Sequence, residues 1–91
     1  MDNAETTLIL MNKSGLHARP ASIFVQTAKK FRSKIIVRKG DREADAKSIL
    51  SVLALGAECG DSITIIAQGE DAKDALAALI DLVKNRFGEE E

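Results

Sequence analysis

Apolar and β-branched residues crowd together in Thr6-Thr7-Leu8-Ile9-Leu10-Met11. The pattern predicts a first strand from Glu5 to Met11, with Leu8 and Leu10 on one face and the turn-prone run Asn12 to Gly15 as its end. The period then changes. Ala21, Phe24, Val25 and Ala28 recur at helical spacing with Gln26, Lys29 and Lys30 between them, so a core-facing amphipathic helix is predicted from Ala18 to about Phe31. Lys34 to Lys39 reads as a second strand and Arg42 to Asp45 as a short third, joined at Gly40-Asp41 by a Gly-X hairpin turn of the II′ kind. A short helix is predicted after Ser48, its N-cap, with Gly56 just past its end. Ser51 stands where the Glu or Gln of a capping box would reach back. Ser62 to Gln68 reads as a fourth strand with Ile63, Ile65 and Ala67 on one face. Gly69 breaks it, and Glu70-Asp71 open a last helix with the stripe Ala72, Ala75, Leu76, Leu79, Ile80, Val83 and Phe87. Gly88 and the glutamates Glu89 to Glu91 read as a frayed acidic tail.

The order βαββαβα, with strands that alternate and helices that carry one apolar stripe, predicts a two-layer α+β sandwich. A right-handed crossover through the first helix makes strands one and two parallel and leaves room between them, which strand four can fill antiparallel to both. The length of 91 residues predicts one domain, residues 1–91, burying ~60–65% of its unfolded surface. Aromatic residues amount to three Phe, with no Trp or Tyr, so the core must be built of Ala, Ile, Leu and Val. A net charge of −1 supplies no basic field for nucleic acid, and the missing aromatics remove the platforms on which bases stack. One cysteine, Cys59, and one histidine make neither a disulfide nor a zinc site, so no metal and no cofactor is expected. No apolar run approaches the ~20 residues of a membrane span. No secretory pattern opens the sequence either, and a cytoplasmic monomer that touches neither nucleic acid nor membrane directly is expected.

Candidate chemistry concentrates in Lys13-Ser14-Gly15-Leu16-His17-Ala18-Arg19-Pro20-Ala21, which holds the single histidine and the single proline. Pro20 is tolerated in the first turn of a helix, so His17 falls at or beside a helix N-cap. Free N–H groups and the positive end of the helix dipole suit a phosphate there. Imidazole is a nucleophile near neutral pH, and Arg19 offers a planar fork of donors to phosphoryl oxygens. A histidine in such a place is more often a solvated capping residue, and these residues alone leave both readings open. Ser48 likewise reads by default as a cap. Five large aliphatics in the seven positions from Ile49 to Leu55 cannot all face a core. One or two, Ile49 and Leu50 first, are expected on the surface near His17 as a docking patch with Leu53, beside the alternative of a crowded core helix.

Gly15-Leu16-His17-Ala18-Arg19-Pro20-Ala21 resembles the active-site segment of the HPr family, the histidine-containing phosphocarriers of bacterial phosphoenolpyruvate-dependent sugar phosphotransferase systems. Ala46-Lys47-Ser48-Ile49-Leu50, with Leu55-Gly56 beyond, resembles that family's second signature at the expected separation, and length and element order fit throughout. The resemblance implies an open-faced sandwich whose antiparallel sheet has the order 1-4-2-3, covered on one face by three helices. It implies a carrier, not an enzyme with turnover of its own: His17 takes a phosphoryl group on Nδ1 from Enzyme I and hands it to EIIA domains of sugar permeases. Arg19 and the backbone amides of Ala18 and Arg19 would contact the phosphate. Ser48 would be a regulatory site for an HPr kinase/phosphorylase, with a catabolite-control transcription regulator as a further partner. Two alternatives stand beside this reading. One is a relative in a nitrogen-related or purely regulatory branch; the other is a small ligand-binding or RNA-binding α+β module.

Overall fold

In the computed structural model, which describes residues 2–89, a four-stranded antiparallel sheet has the order β1-β4-β2-β3. Its strands are β1 (Asn3–Ile9), β2 (Lys34–Lys39), β3 (Arg42–Asp45) and β4 (Ser62–Gln68). Three helices, α1 (Ala18–Ala28), α2 (Ile49–Ala54) and α3 (Ala72–Lys84), complete the second layer. Alternation in the strands sorts the sheet into two faces. Ile63, Ile65 and Ala67 of β4 and Ile35 and Val37 of β2 are buried under the helices. Their neighbours Thr64, Ile66 and Ile36 keep partial exposure on the uncovered side. From the helices Ala21, Phe24, Val25, Ala28, Val52, Ala72, Ala75, Leu79 and Val83 close the core.

Strand four enters between one and two, filling the room that the crossover argument leaves there, with Leu8 opposite Ile63 and Val37 opposite Ile65. Lys39 faces Arg42 across the hairpin, and Gly40 has the left-handed φ of 59° that a primed two-residue turn needs. The boundaries of β2, β3 and β4 fall where the pattern predicts them.

Four expectations are corrected. β1 begins at Asn3 and ends at Ile9, not Met11. Leu10 is still buried, but its backbone leaves the ladder to pair with the loop before β4, its amide donating to Asp61 O and its carbonyl accepting from Gly60 N. Helix α1 stops at Ala28, because the amides of Lys30 and Phe31 close tight turns onto Thr27 and Ala28. Helix α3 stops at Lys84, so Phe87 does not extend its stripe. Arg86 and Phe87 both take positive φ, 55° and 53°, and this reversal turns the Phe87 ring back into the core. The reversal also corrects the frayed tail: Glu89 is fastened to the loop that carries His17, while Glu90 and Glu91 lie outside the described residues.

Asp71 adds a second fastening. It stands at the N-cap of α3 but makes no side-chain cap. Its carboxylate instead accepts from Arg32 N at 2.8 Å, Ser33 N at 2.9 Å and the Ser33 hydroxyl, tying the end of the α1–β2 connection to the start of α3. These donors hold the Asp71 carboxyl below the usual carboxylate range, the Ser33 hydroxyl most of all.

Candidate functional site

The loop between β1 and α1 is built from its backbone outward. Gly15 is buried at φ 60°, and its amide closes a turn onto Asn12 O at 3.1 Å. A Cβ at this position would stand 2.5 Å from Ala57 O and 2.6 Å from Glu58 Cα, so only glycine lets the two loops meet. Leu16 N then donates to Ala57 O at 2.9 Å, and the Leu16 side chain is buried. The next residue is therefore His17, fixed at the head of α1 in extended geometry, φ −100° and ψ 171°. Its carbonyl accepts the first helical bond, from Ala21 N, while its ring makes no capping hydrogen bond and is exposed.

A helix start leaves four amides without intrahelical partners. Here the four belong to His17, Ala18, Arg19 and Pro20, of which Pro20 has no N–H, and Ala21 makes the first intrahelical bond. The amides of Ala18 and Arg19 hydrogen-bond to no other group among the described residues, and both residues are exposed beside the imidazole. Two free donors, the positive helix end and an exposed guanidinium thus surround one exposed nucleophile. Arrangements of this kind receive a tetrahedral anion.

Two further residues, unread in the sequence as site residues, organise this loop. Asn12 is fully buried, and its Nδ2 donates both to Gly15 O at 2.8 Å and to Glu89 Oε1 at 3.1 Å. Those two acceptors fix which way the amide points, and leave Oδ1 buried without a partner. Glu89 also accepts from the Ser14 hydroxyl at 2.5 Å and the Ser14 amide at 3.4 Å. Its carboxyl is held below the usual range, by the Ser14 hydroxyl foremost, then Asn12, with the Arg19 guanidinium adding attraction through space. Lys13, Ser14, Arg19, Gly88 and Glu89 line one open groove of about 600 Å³. No local pattern signals Glu89, which reaches the loop only through the reversal at Arg86 and Phe87.

Ser48 caps α2 as the pattern predicts, its Oγ accepting from Ser51 N at 3.3 Å. The helix then divides its aliphatics: Val52 and Leu55 are buried, whereas Ile49, Leu50 and Leu53 are 38%, 77% and 37% exposed. The surface ridge therefore consists of Ile49, Leu50 and Leu53, the three residues named for the docking patch. Leu16 N on Ala57 O ties the head of α1 to the chain just after α2, and Lys47 Nζ on Phe31 O ties the chain after α1 to the residue before Ser48. Helix α2 thus runs back along α1, with its C-terminal end toward His17 and Ser48 toward the far end. Cys59 is a free, exposed thiol in the loop beyond. Among the described residues no helix is long and apolar enough to cross a membrane, and no group of three or more His, Cys, Asp or Glu is placed to hold a metal ion.

Residues 4–85 match the family model described as the PTS HPr component phosphorylation site. The phosphocarrier protein HPr of Treponema pallidum is 40% identical over 84 residues, which span 92% of this chain and 96% of that protein. The crystal structure of HPr-C-His from Thermoanaerobacter tengcongensis superposes with a TM-score of 0.94 at 46% identity, covering 97% of this chain and 99% of that one. The solution structure of Crh, the Bacillus subtilis catabolite repression HPr, gives a TM-score of 0.66 at 39% identity over 88% of this chain and 95% of that one.

Proposed function

Because the chain belongs to the HPr family of phosphotransferase-system phosphocarriers, we propose that His17 is its phosphoryl acceptor, charged by Enzyme I and discharged onto EIIA domains in sugar uptake. The observation that carries this reading is the exposed imidazole of His17, free of any capping bond, beside the two unpaired amides of Ala18 and Arg19. In the transfer the lone pair on Nδ1 forms the new N–P bond as the donor's N–P bond breaks. The donor nitrogen takes back that electron pair, and the proton shed by one ring balances the proton gained by the other. Arg19 and the two amides carry the charge on the phosphoryl oxygens. Positioning and electrostatics supply the catalysis, with no base on this chain. Each contact contributes only ~1–3 kcal/mol, so the group is held firmly enough to survive and loosely enough to leave. In this reading residues 1–91 act as one module, a cytoplasmic monomer that needs no cofactor.

Ile49, Leu50 and Leu53 form the surface on which Enzyme I and EIIA dock. An exposed apolar ridge on the helix that runs back along α1 is what alternating partners with a shared footprint require. Ser48 is a regulatory site for an ATP-dependent HPr kinase/phosphorylase, and the phosphorylated form serves a catabolite-control transcription regulator. The kinship with Crh, a protein named for catabolite repression, supports this second role. A phosphate on Ser48 is tolerated at a helix start but adds about −2 charge next to Ile49 and Leu50. Since Ser48 lies toward the far end of α2 from His17, its phosphate acts on docking and not on the imidazole.

The test is to incubate the protein with phosphoenolpyruvate and purified Enzyme I and to map the label. One acid-labile phosphoryl group on the peptide containing His17 is expected, and its absence from folded His17→Ala. Labelling of His17→Ala at the wild-type rate would sink the assignment.

A further inference from the structure

The anchored Glu89 carboxylate sits among groups that a phosphoryl group would also seek. It takes the Ser14 hydroxyl, the Ser14 amide and one Asn12 N–H, and it shares a groove with Lys13 and Arg19. Ser14 stands three residues before His17 on one tightly held loop, and the Asn12 amide links Glu89 directly to the Gly15 carbonyl at its turn. The resting protein thus keeps an anion of its own beside the place where another must arrive. A phosphoryl group on His17 would bring about two negative charges to the same neighbourhood. The two anions attract the same cation, Arg19, and repel each other.

Resting on the reading that His17 carries the phosphoryl group, we propose that Glu89 is a positioning residue for the transfer. Its carboxylate orders the Asn12 to Gly15 turn in the unphosphorylated protein, and its charge keeps the phosphorylated protein ready to give the group away. Glu89 forms no bond to phosphorus and moves no proton. It acts through Ser14, Asn12 and Arg19, and through repulsion across the groove.

Glu89→Gln separates charge from shape: the amide keeps one acceptor oxygen for Asn12 Nδ2 and the Ser14 amide, its NH2 can donate to the Ser14 hydroxyl in place of accepting from it, and the negative charge is lost. Wild type, Glu89→Gln and Glu89→Ala are each equilibrated with Enzyme I at fixed phosphoenolpyruvate and pyruvate. The phosphorylated fraction is then read by intact mass, with peptide mapping of the label. Glu89→Gln is expected to shift the equilibrium about three- to tenfold toward the phosphorylated form, the scale of one unit charge at several ångströms in a largely aqueous setting. The shift should shrink at high salt. Glu89→Ala should show the same shift and also faster hydrogen exchange at the Ser14 amide. A Glu89→Gln equilibrium equal to that of wild type at low salt, with wild type labelled on His17, overturns the inference alone, even if thermal stability changes. Absence of label on His17 in wild type overturns the underlying reading and the inference with it.

Discussion

Gly15 shows how much a single position can fix. Its φ of 60° is strained for any side chain, and a Cβ would overlap the backbone at Ala57 and Glu58. Gly15→Ala is therefore expected to cost ~2–4 kcal/mol in denaturant unfolding and to slow phosphorylation of His17 by displacing the loop. Ser48 is a milder case: Ser48→Ala should cost ~1 kcal/mol through the lost cap on Ser51 N. Ser48→Asp should slow transfer from Enzyme I, and an unchanged rate would leave Ser48 only a cap. Much of this was legible in the sequence. Proline one turn into a helix pattern located His17, and serine before an apolar run located the cap. What could not be read was the company each residue keeps across the chain. The backbone of Glu58 that bars a side chain at Gly15, and the carboxylate of Glu89 on Ser14, come from segments that no local pattern brings near.

Helix α2 carries two opposed surfaces in six residues, and substitutions on them should have opposite signatures. Leu55, just past its end and 2% exposed, packs into the core, so Leu55→Ala should destabilise by ~2–4 kcal/mol with modest effect on partner affinity. Leu50→Ser, at a position 77% exposed, should leave the unfolding midpoint within ~0.5 kcal/mol of wild type while raising the KM of Enzyme I for the protein. The crowding of aliphatics announced that some must face solvent, but which ones depends on how α1 and the sheet cover the helix. Helix α3 teaches the complementary lesson. Phe87 lies four residues after Val83 and fits the helical period, yet the left-handed pair Arg86 and Phe87 ends the pattern. Periodicity found the residue's burial and missed its conformation, because a left-handed turn begun at Arg86 and Phe87, ahead of Gly88 at φ 78°, leaves no mark in a hydrophobic pattern.

Across the whole molecule, three carboxylates join segments distant in sequence: Asp61 to Lys39, Asp71 to Arg32 and Ser33, and Glu89 to Asn12 and Ser14, Asp61 also accepting from the Glu58 amide within its own loop. All three titrate below the ordinary carboxylate range; for Asp61 the largest cause is the Glu58 amide, followed by Lys39. A depressed folded-state pKa means that protons bind the unfolded chain more readily. The stability these groups add is full above the unfolded carboxylate range and is lost as pH falls through their folded values. Thermal midpoints should therefore hold from neutrality down to about pH 5 and drop steeply below pH 4, with the drop shallower in Asp71→Asn. The layered α+β architecture followed from element order and the crossover rule. The full order 1-4-2-3 came from family resemblance, since antiparallel strands with similar faces leave several pairings open. Finally, the fold gives Asn3 and Glu89 unequal standing. Asn3 pairs with Gln68 at the end of the sheet remote from the His17 loop, separated from it by the whole of β1, roughly 20 Å. Glu89 lies against the loop itself. A fluorophore or purification handle joined ahead of the first strand would report on the phosphoryl relay without entering it. The same group joined after the last helix would become part of the relay's landing ground.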